Sequence, residues 1–204
     1  MRVQEPNGRR WISLILMLLW LVIPHQSRAQ AGLELTAMDR QIKGWAENCR
    51  DEIVEQFELL LTSGQLSMGQ IFDTFYIPIP DTEPQKFHTQ NDLYIDGSVQ
   101  HILDKYLKIN DKISFVVLVD RNGYLPTHNS KYSRPLTGDR DLDTKWSRSK
   151  RLFNDRTGLS AARNKEPFLL QRYSRDTGEQ MADLSVPIML RGRHWGAVRF
   201  GYQK

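Results

Sequence analysis

The residues best suited to bind a small polar molecule are concentrated between residues 124 and 167, ahead of the last predicted strands. The candidate ligand-binding residues in this segment are Tyr124, His128, Tyr132, Arg151, Arg156 and Arg163. An arginine offers a planar fork of N–H donors that matches the oxygens of a carboxylate or phosphate, so the segment favours a small anion as ligand. The alternative is that Arg148, Arg151 and Arg156 form solvated surface pairs, which are common and individually weak. The carboxylates available for such pairs are Asp139, Asp141, Asp143 and Asp155.

Two further candidate ligand-binding residues, Tyr173 and Asp183, lie in the predicted strands near the end of the chain. Alternate residues of a strand face opposite sides of a sheet. The apolar residues at the even positions of 184–190 therefore share one face, and Asp183 lies on the other. Its carboxylate either meets an amine or guanidinium ligand or forms an ion pair with Arg172 or Arg199 on a neighbouring strand.

Enzymatic, metal and cofactor chemistry have little support in the sequence. The motifs GxSxG, HExxH, GxxxxGK[ST] and GxGxxG are absent, so we predict that the protein is not an enzyme. The histidines lack metal-ligand spacing, and no CxxCH motif could attach haem covalently. No cofactor is predicted; if haem binds without covalent attachment, His128 is the candidate axial ligand. Cys49 is the single cysteine, and its apolar helical surroundings predict a buried thiol.

Length and charge indicate one folded domain behind a basic leader. The chain has 204 residues, with 28 Lys+Arg against 24 Asp+Glu, and this length suffices for one domain with a full core. Four of the arginines lie within residues 1–31, where there is a single acidic residue. The remaining chain is therefore close to neutral and gives no electrostatic reason to expect nucleic-acid binding.

The leader has the three parts of a secretory signal peptide. A basic start is followed by the apolar run 11–24, and Ala29 and Ala31 are the small residues before a predicted cleavage site after Ala31. An uncleaved anchor is the alternative, although 14 helical residues span only about 21 Å of a hydrocarbon core roughly 30 Å thick. We therefore expect a periplasmic or secreted protein, or one anchored to the inner membrane by an uncleaved leader.

The rest of the chain predicts an α+β fold. Apolar residues recur at steps of three and four from Leu33 to Leu61, which is typical of a long amphipathic helix. We assign residues 32–66 to this N-terminal helix as a separate region of the chain. The β-branched and alternating runs that follow predict an antiparallel sheet, and we interpret the long segment 124–167 as a lid or binding loop. The long N-terminal helix should pack on this central sheet. Helices are predicted at 33–61, 91–108 and 143–153, and strands at 113–119, 168–174, 182–190 and 194–202.

Four sequence markers together resemble a known family. The first is Ile77-Pro78-Ile79-Pro80 followed by 84–89, and the second is 119–129 with 131–133. The third is 150–159 continuing through 161–164, and the fourth is 183–188 with 192–196. In this order they resemble the extracytoplasmic sensor region of bacterial methyl-accepting chemotaxis proteins, of the PAS-like or Cache type. The resemblance covers about residues 70–202 and assigns 67–204 to such a sensor domain.

This resemblance implies a small-molecule ligand bound between the sheet and the segment before its last strands, and chemotaxis-type signalling by conformational change. Receptors of the family continue into a second membrane helix, a HAMP module and a cytoplasmic coiled coil, whereas this sequence ends at Lys204. We therefore expect either an exported sensor that acts on a membrane-bound signalling partner or a truncated receptor. The stripe of helix 33–61 also suits a homodimer. The alternatives are a protein-interaction module acting through that helix and a haem- or flavin-bearing redox sensor.

Overall fold

A computed structural model describes residues 34–174 and 179–203. The predicted signal peptide and the turn at 175–178 lie outside the described residues. The helices are α1 (Ala37–Thr62), α2 (Met68–Ile71), α3 (Asp92–Leu107), α4 (Arg140–Trp146) and α5 (Arg156–Arg163). The strands are β1 (Ile77–Pro78), β2 (Phe87–His88), β3 (Ile113–Asp120), β4 (Tyr124–Leu125), β5 (Arg151–Leu152), β6 (Leu169–Ser174), β7 (Gln180–Leu190) and β8 (Arg193–Gln203).

The four long strands form one antiparallel sheet in the order β3-β8-β7-β6. The predicted meander of the last three strands is therefore confirmed, and β3 adds to its β8 edge. Two short antiparallel pairs, β1-β2 and β4-β5, lie in the connections. The α+β class and the long N-terminal helix on a central antiparallel sheet are both confirmed.

Helix α1 begins at a capping box and packs along the sheet. The Thr36 hydroxyl accepts from the Asp39 backbone N–H, and the Asp39 carboxylate accepts from the Thr36 backbone N–H, so two otherwise unpaired donors are satisfied. One side of the helix, which includes Ile42, Cys49 and Phe57, has no exposed surface and contacts β7 and β8. Cys49 is a buried free thiol as predicted, and burial raises its pKa.

The apolar stripe of α1 is thus covered by the sheet of its own chain. The homodimer predicted through helix 33–61 stays a prediction, and it would have to use the exposed side of α1. Leu59 on that side is 54% exposed. No helix among the described residues has both the length and the apolar character needed to span a membrane.

The two faces of the sheet have different surroundings. Leu184, Val186 and Ile188 of β7 are fully buried in the main core with α1 and α3, as strand alternation predicted. The other face carries a smaller apolar cluster that includes Val117 and Ala197. Buried polar side chains, among them those of β7 and β8, also lie on this second face, which is covered by the segment that follows β3.

The single helix predicted near 143–153 is wrong. Helix α4 ends at Trp146, because the Ser147 hydroxyl donates to the Arg134 carbonyl and the chain turns away there. Residues 151–152 instead pair with β4. A second helix, α5, was not predicted; it begins at Asp155, whose carboxylate accepts from the Gly158 backbone N–H at 2.9 Å.

Candidate functional site

A cavity of about 930 Å³ lies between the second face of the sheet and the segment from β4 to the start of α5. Such a volume falls in the range of small-molecule sites, about 300–1,000 Å³. Its floor comes from β3, β6 and β8 and its walls from the covering segment. The lining residues are Phe115, Val117, Leu125, His128, Tyr132, Lys145, Trp146, Arg148, Phe153, Asp155, Thr157, Tyr173 and Arg199.

The covering segment is tied to the end of β3 by a tight turn. Gly123 has a φ of 91°, a conformation that L side chains rarely adopt. A Cβ atom there would lie 2.4 Å from the Phe153 carbonyl oxygen, and the Phe153 backbone N–H donates to the Gly123 carbonyl at 2.8 Å. This close approach fixes one wall of the cavity, because Phe153 lines it.

An ion pair on the sheet holds a guanidinium at the cavity floor. Arg199 Nη2 donates to Asp183 Oδ2 at 2.6 Å, and Arg199 Nε donates to Asp183 Oδ1 at 3.4 Å. Asp183 has no exposed surface and Arg199 is 8% exposed. The second of the two alternatives for Asp183, an ion pair with Arg199, is therefore the one observed. Arg199 also lines the cavity, so this oriented guanidinium forms part of the floor.

The electrostatic balance of the lining is positive. Lys145, Arg148 and Arg199 bring three cations, Asp155 is the carboxylate among the lining residues, and Asp183 behind the floor neutralises Arg199, which leaves an excess of one positive charge. The Asp155 carboxylate also accepts the backbone N–H that caps α5. A low-dielectric site with this excess favours an anionic group over a cationic one.

Aromatic side chains line the opposite wall. Tyr132 and Trp146 stack with centroids 5.7 Å apart and planes 14° apart, and His128 lies 4.9 Å from Tyr132. Burial and then the charges of Arg148 and Arg199 lower the pKa of His128 well below its ordinary range, so the ring is neutral. Its Nδ1 accepts from the Asn129 backbone N–H at 2.8 Å, so the ring proton is on Nε2, which is a donor.

The structure brings some of the predicted site residues together and separates others. His128, Tyr132 and Tyr173 line the cavity, and Asp183 lies behind its floor. Residues Tyr124, Arg151, Arg156 and Arg163 lie outside its lining as the structure describes it.

Each of the two nearer excluded residues has a structural contact instead. The Tyr124 hydroxyl donates to the Phe87 carbonyl at 2.8 Å. Arg151 donates to the Thr144 carbonyl at 3.1 Å and lies over the Phe153 ring. Neither side chain is among the lining residues of the cavity.

The sequence offered surface ion pairs as an alternative role for Arg151 and Arg156. Neither arginine takes part in an ion pair within residues 34–174 and 179–203. The predicted acidic partners bind backbone N–H groups. Asp139 caps α4, and Asp143 accepts from Thr137 and Gly138. These bonds, although burial opposes them, lower the pKa of Asp143.

Sequence reasoning missed the lining cations Lys145, Arg148 and Arg199 as site residues, together with Trp146. Arg199 could have been found from alternation in β8, since it shares the polar face with its cross-strand neighbour Ser185. Trp146 and Arg148 carried no such signal, because their positions depend on where α4 ends.

The described residues hold no group of three or more side chains with metal-ligating atoms close together. The absence of a cofactor stays a prediction. Because His128 Nε2 carries the ring proton, axial ligation of haem by this nitrogen would require a change of tautomer, and visible absorbance of the purified protein tests for haem directly.

Comparison with known proteins finds a weak structural similarity and no match to a family. No protein-family model and no curated protein matches the chain. Among solved structures it is similar to the ligand-binding domain of the amino acid chemoreceptor PctC of Pseudomonas aeruginosa PAO1 in complex with GABA, at 13% identity and a TM-score of 0.29. The match covers 82% of this chain and 65%, less than two thirds, of that one. A likeness at this level carries no argument about function.

Proposed function

We propose that the protein is a non-enzymatic sensor of the PAS-like or Cache kind that binds a small organic anion in this cavity and signals by conformational change. The observation that carries the proposal is the cavity with Arg199 at its floor. The buried Asp183 carboxylate holds that guanidinium in place, so an anion would meet a donor that is already oriented. This arrangement gives the resemblance to chemotaxis sensors a physical site.

The lining suggests the kind of anion. Arginine forks suit carboxylate oxygens, and Arg148 and Arg199 are the two guanidinium groups of the lining. The aromatic wall of Tyr132 and Trp146 offers an apolar surface for the body of the ligand. We therefore infer a carboxylate with a compact apolar or aromatic part.

A route for the signal runs along β8. Arg199 faces the cavity, and three residues later Tyr202 lies on the opposite face, where its hydroxyl donates to Asp39 of α1. Asp39 also accepts from Arg172 of β6 at 2.7 Å. Closure of segment 124–167 on a ligand would change the balance between two positions of α1 relative to β8. Export to the periplasm, or anchoring by residues 1–31, and a membrane-bound signalling partner complete the proposal.

Thermal unfolding of the purified protein in the presence of candidate ligands tests the proposal. We expect a saturable rise in Tm with carboxylates and none with amines or purines. Ligand at 100 times its Kd adds about 2.7 kcal/mol, or roughly 5–10 °C for a unit of this size.

A matched pair of variants localises the effect. Arg148→Gln should reduce the rise, whereas Arg140→Gln, at the exposed start of α4, should leave it unchanged. A folded protein whose Tm responds to no ligand class would contradict the proposal and favour the interaction-module alternative. Equal behaviour of the two variants would place the ligand elsewhere.

A further inference from the structure

A second, smaller pocket lies at the end of the sheet where β3 ends and β8 begins. It has a volume of about 410 Å³ and is lined by Arg121, Asn122, Arg163, Lys165, Arg193 and His194. Four of these residues are cationic and none is acidic. The pocket lies outside the cavity described above and shares no lining residue with it.

The chain topology brings these cations together. Antiparallel pairing sets Asp120 opposite Gly196, so the turn after β3 lies beside the start of β8. A Cβ atom on Gly196 would lie 2.0 Å from the Val119 carbonyl oxygen, which shows how closely the two strands approach there. The end of α5 then adds Arg163, whose Nε donates to the Arg121 carbonyl at 3.4 Å.

Among residues 34–174 and 179–203, the pocket cations have no carboxylate in ion-pair contact. In the described part of the chain, Arg121, Arg163, Lys165 and Arg193 take part in no ion pair. Two of them are oriented by neutral partners. Arg193 stacks on the Phe72 ring at 4.2 Å from its centroid, and Arg163 is held by a carbonyl. Oriented guanidinium groups without carboxylate partners are the arrangement that binds oxyanions.

A buried polar atom lies in the same pocket without a partner. His194 Nε2 is buried and makes no hydrogen bond among the described residues. Buried polar atoms in native proteins are nearly always bonded, and an exception commonly marks the place of a missing water or ion. The cations point to a ligand with several acceptor oxygens, and this ring nitrogen is a further polar atom that a ligand in the pocket would satisfy.

We propose that this pocket is a second binding site, for the phosphate group of a small soluble molecule that carries at least two negative charges. Four cations match such a group better than a single carboxylate, since each charge-assisted bond needs its own oxygen lone pair. The site would act separately from the cavity, because the two sets of binding groups do not overlap.

His194 supplies a local probe of occupancy. Burial, followed by the charge of Lys165, lowers the pKa of His194, and the charge of Arg121 adds to the lowering. Hydrogen bonding of the ring to backbone groups of Gly196 and Asn164 opposes this shift. The ring is therefore neutral at pH 7 in the empty pocket. A bound anion would offset the neighbouring positive charges and raise that pKa.

The test follows the His194 ring by NMR while inorganic phosphate or pyrophosphate is added at constant ionic strength. His194→Asn assigns the signal. We expect a saturable shift of the ring signal and a raised pKa with pyrophosphate, and no such change with chloride. The double variant Arg193→Gln, Lys165→Gln should weaken pyrophosphate binding about tenfold or more, from two lost charge-assisted bonds.

Two controls keep the result specific. The exposed pair Lys112→Gln, Lys131→Gln removes the same charge elsewhere and should leave affinity within about twofold, because screened surface charges contribute little. Arg148→Gln in the cavity should leave pyrophosphate binding unchanged. The double variant also removes the contact of Arg193 with the Phe72 ring. Lys165→Gln alone keeps that contact and should still weaken pyrophosphate binding.

Several outcomes would overturn the proposal. One is an equal response of the His194 ring to chloride and pyrophosphate, which would indicate screening alone. Another is equal weakening by the control pair. Binding of a short glutamate peptide or of phosphatidylglycerol vesicles, with no response to pyrophosphate, would assign the pocket to an acidic protein segment or a membrane instead.

Discussion

The buried pair of Asp183 and Arg199 allows stability and ligand binding to be separated by mutation. The shortest N–O distance between the two side chains is 2.6 Å, and the Asp183 side chain has no exposed surface. Removing one partner of such a pair leaves an uncompensated buried charge and costs about 3–5 kcal/mol. We predict that Arg199→Met lowers the free energy of unfolding by that amount. At about 2–4 °C per kcal/mol, the Tm would fall by roughly 6–20 °C.

A second substitution should recover stability without recovering binding. Replacing a whole buried pair by apolar residues is often neutral or stabilising, so Asp183→Val together with Arg199→Met should regain most of the lost stability. Carboxylate binding should stay lost in the double variant, because the floor of the cavity then offers no guanidinium. Urea unfolding followed by circular dichroism measures the first effect, and calorimetric titration with the best carboxylate measures the second.

The exposed pair of Arg191 and Glu58 is the matched control. Its N–O distance of 2.7 Å resembles that of the buried pair, but its side chains are 48% and 36% exposed. Arg191→Met should therefore change the Tm little. Two results would refute the reasoning: Arg199→Met within about 1 kcal/mol of the unmodified protein, or a double variant that binds carboxylate as tightly as the unmodified protein.

Three further predictions concern the cavity wall and its support. Carboxylate binding should change tryptophan fluorescence, and Trp146→Phe should remove that change in a fluorescence titration. Burial, with nearby positive charges, lowers the pKa of Lys86 from 10.5 to about 8, so the unfolded chain binds more protons between these pH values and stability rises with pH across them. Lys86→Met should flatten that rise in urea unfolding at successive pH, whereas exposed Lys112→Met should retain it. Gly123→Ala should lower the free energy of unfolding by at least about 1–2 kcal/mol in the same assay. The control is Gly44→Ala in helix α1, where a Cβ meets nothing within 4 Å; it should raise the free energy of unfolding by about 0.5–1 kcal/mol.

Most of the fold was predictable from the hydrophobic periodicity within single helices and strands. The alternation in β7 placed Leu184 in the core and Asp183 on the other face, as the structure has them. The stripe of α1 was similarly readable, because its buried positions recur at helical spacing. In both cases the signal lies within one element, so no knowledge of its neighbours was needed.

The predictions that went wrong concern tertiary contacts in segment 124–167. The end of α4 depends on a bond from Ser147 to Arg134 across a loop, which no periodicity announces. As a result Trp146 and Arg148 were assigned to a continuing helix rather than to the cavity. Arg163 was expected beside the other arginines, but the end of α5 places it in the second pocket. The sequence shows which residues of this segment are charged, but it does not show which pocket each charged side chain lines.

The alternation of β8 also explains how ligand contact and helix contact can share one strand. Arg199 points to the cavity, whereas Phe200 and Tyr202 point to the core beneath α1. A displacement of β8 by an anion on Arg199 must therefore move side chains on both faces, since close-packed cores transmit small shifts instead of absorbing them. Tyr202 bonds to Asp39, whose capping box begins α1. Arg199, which would contact the ligand, and Tyr202, which bonds to Asp39 of the capping box, thus lie three residues apart on β8. The pairing of β8 with β7 fixes the positions of both residues.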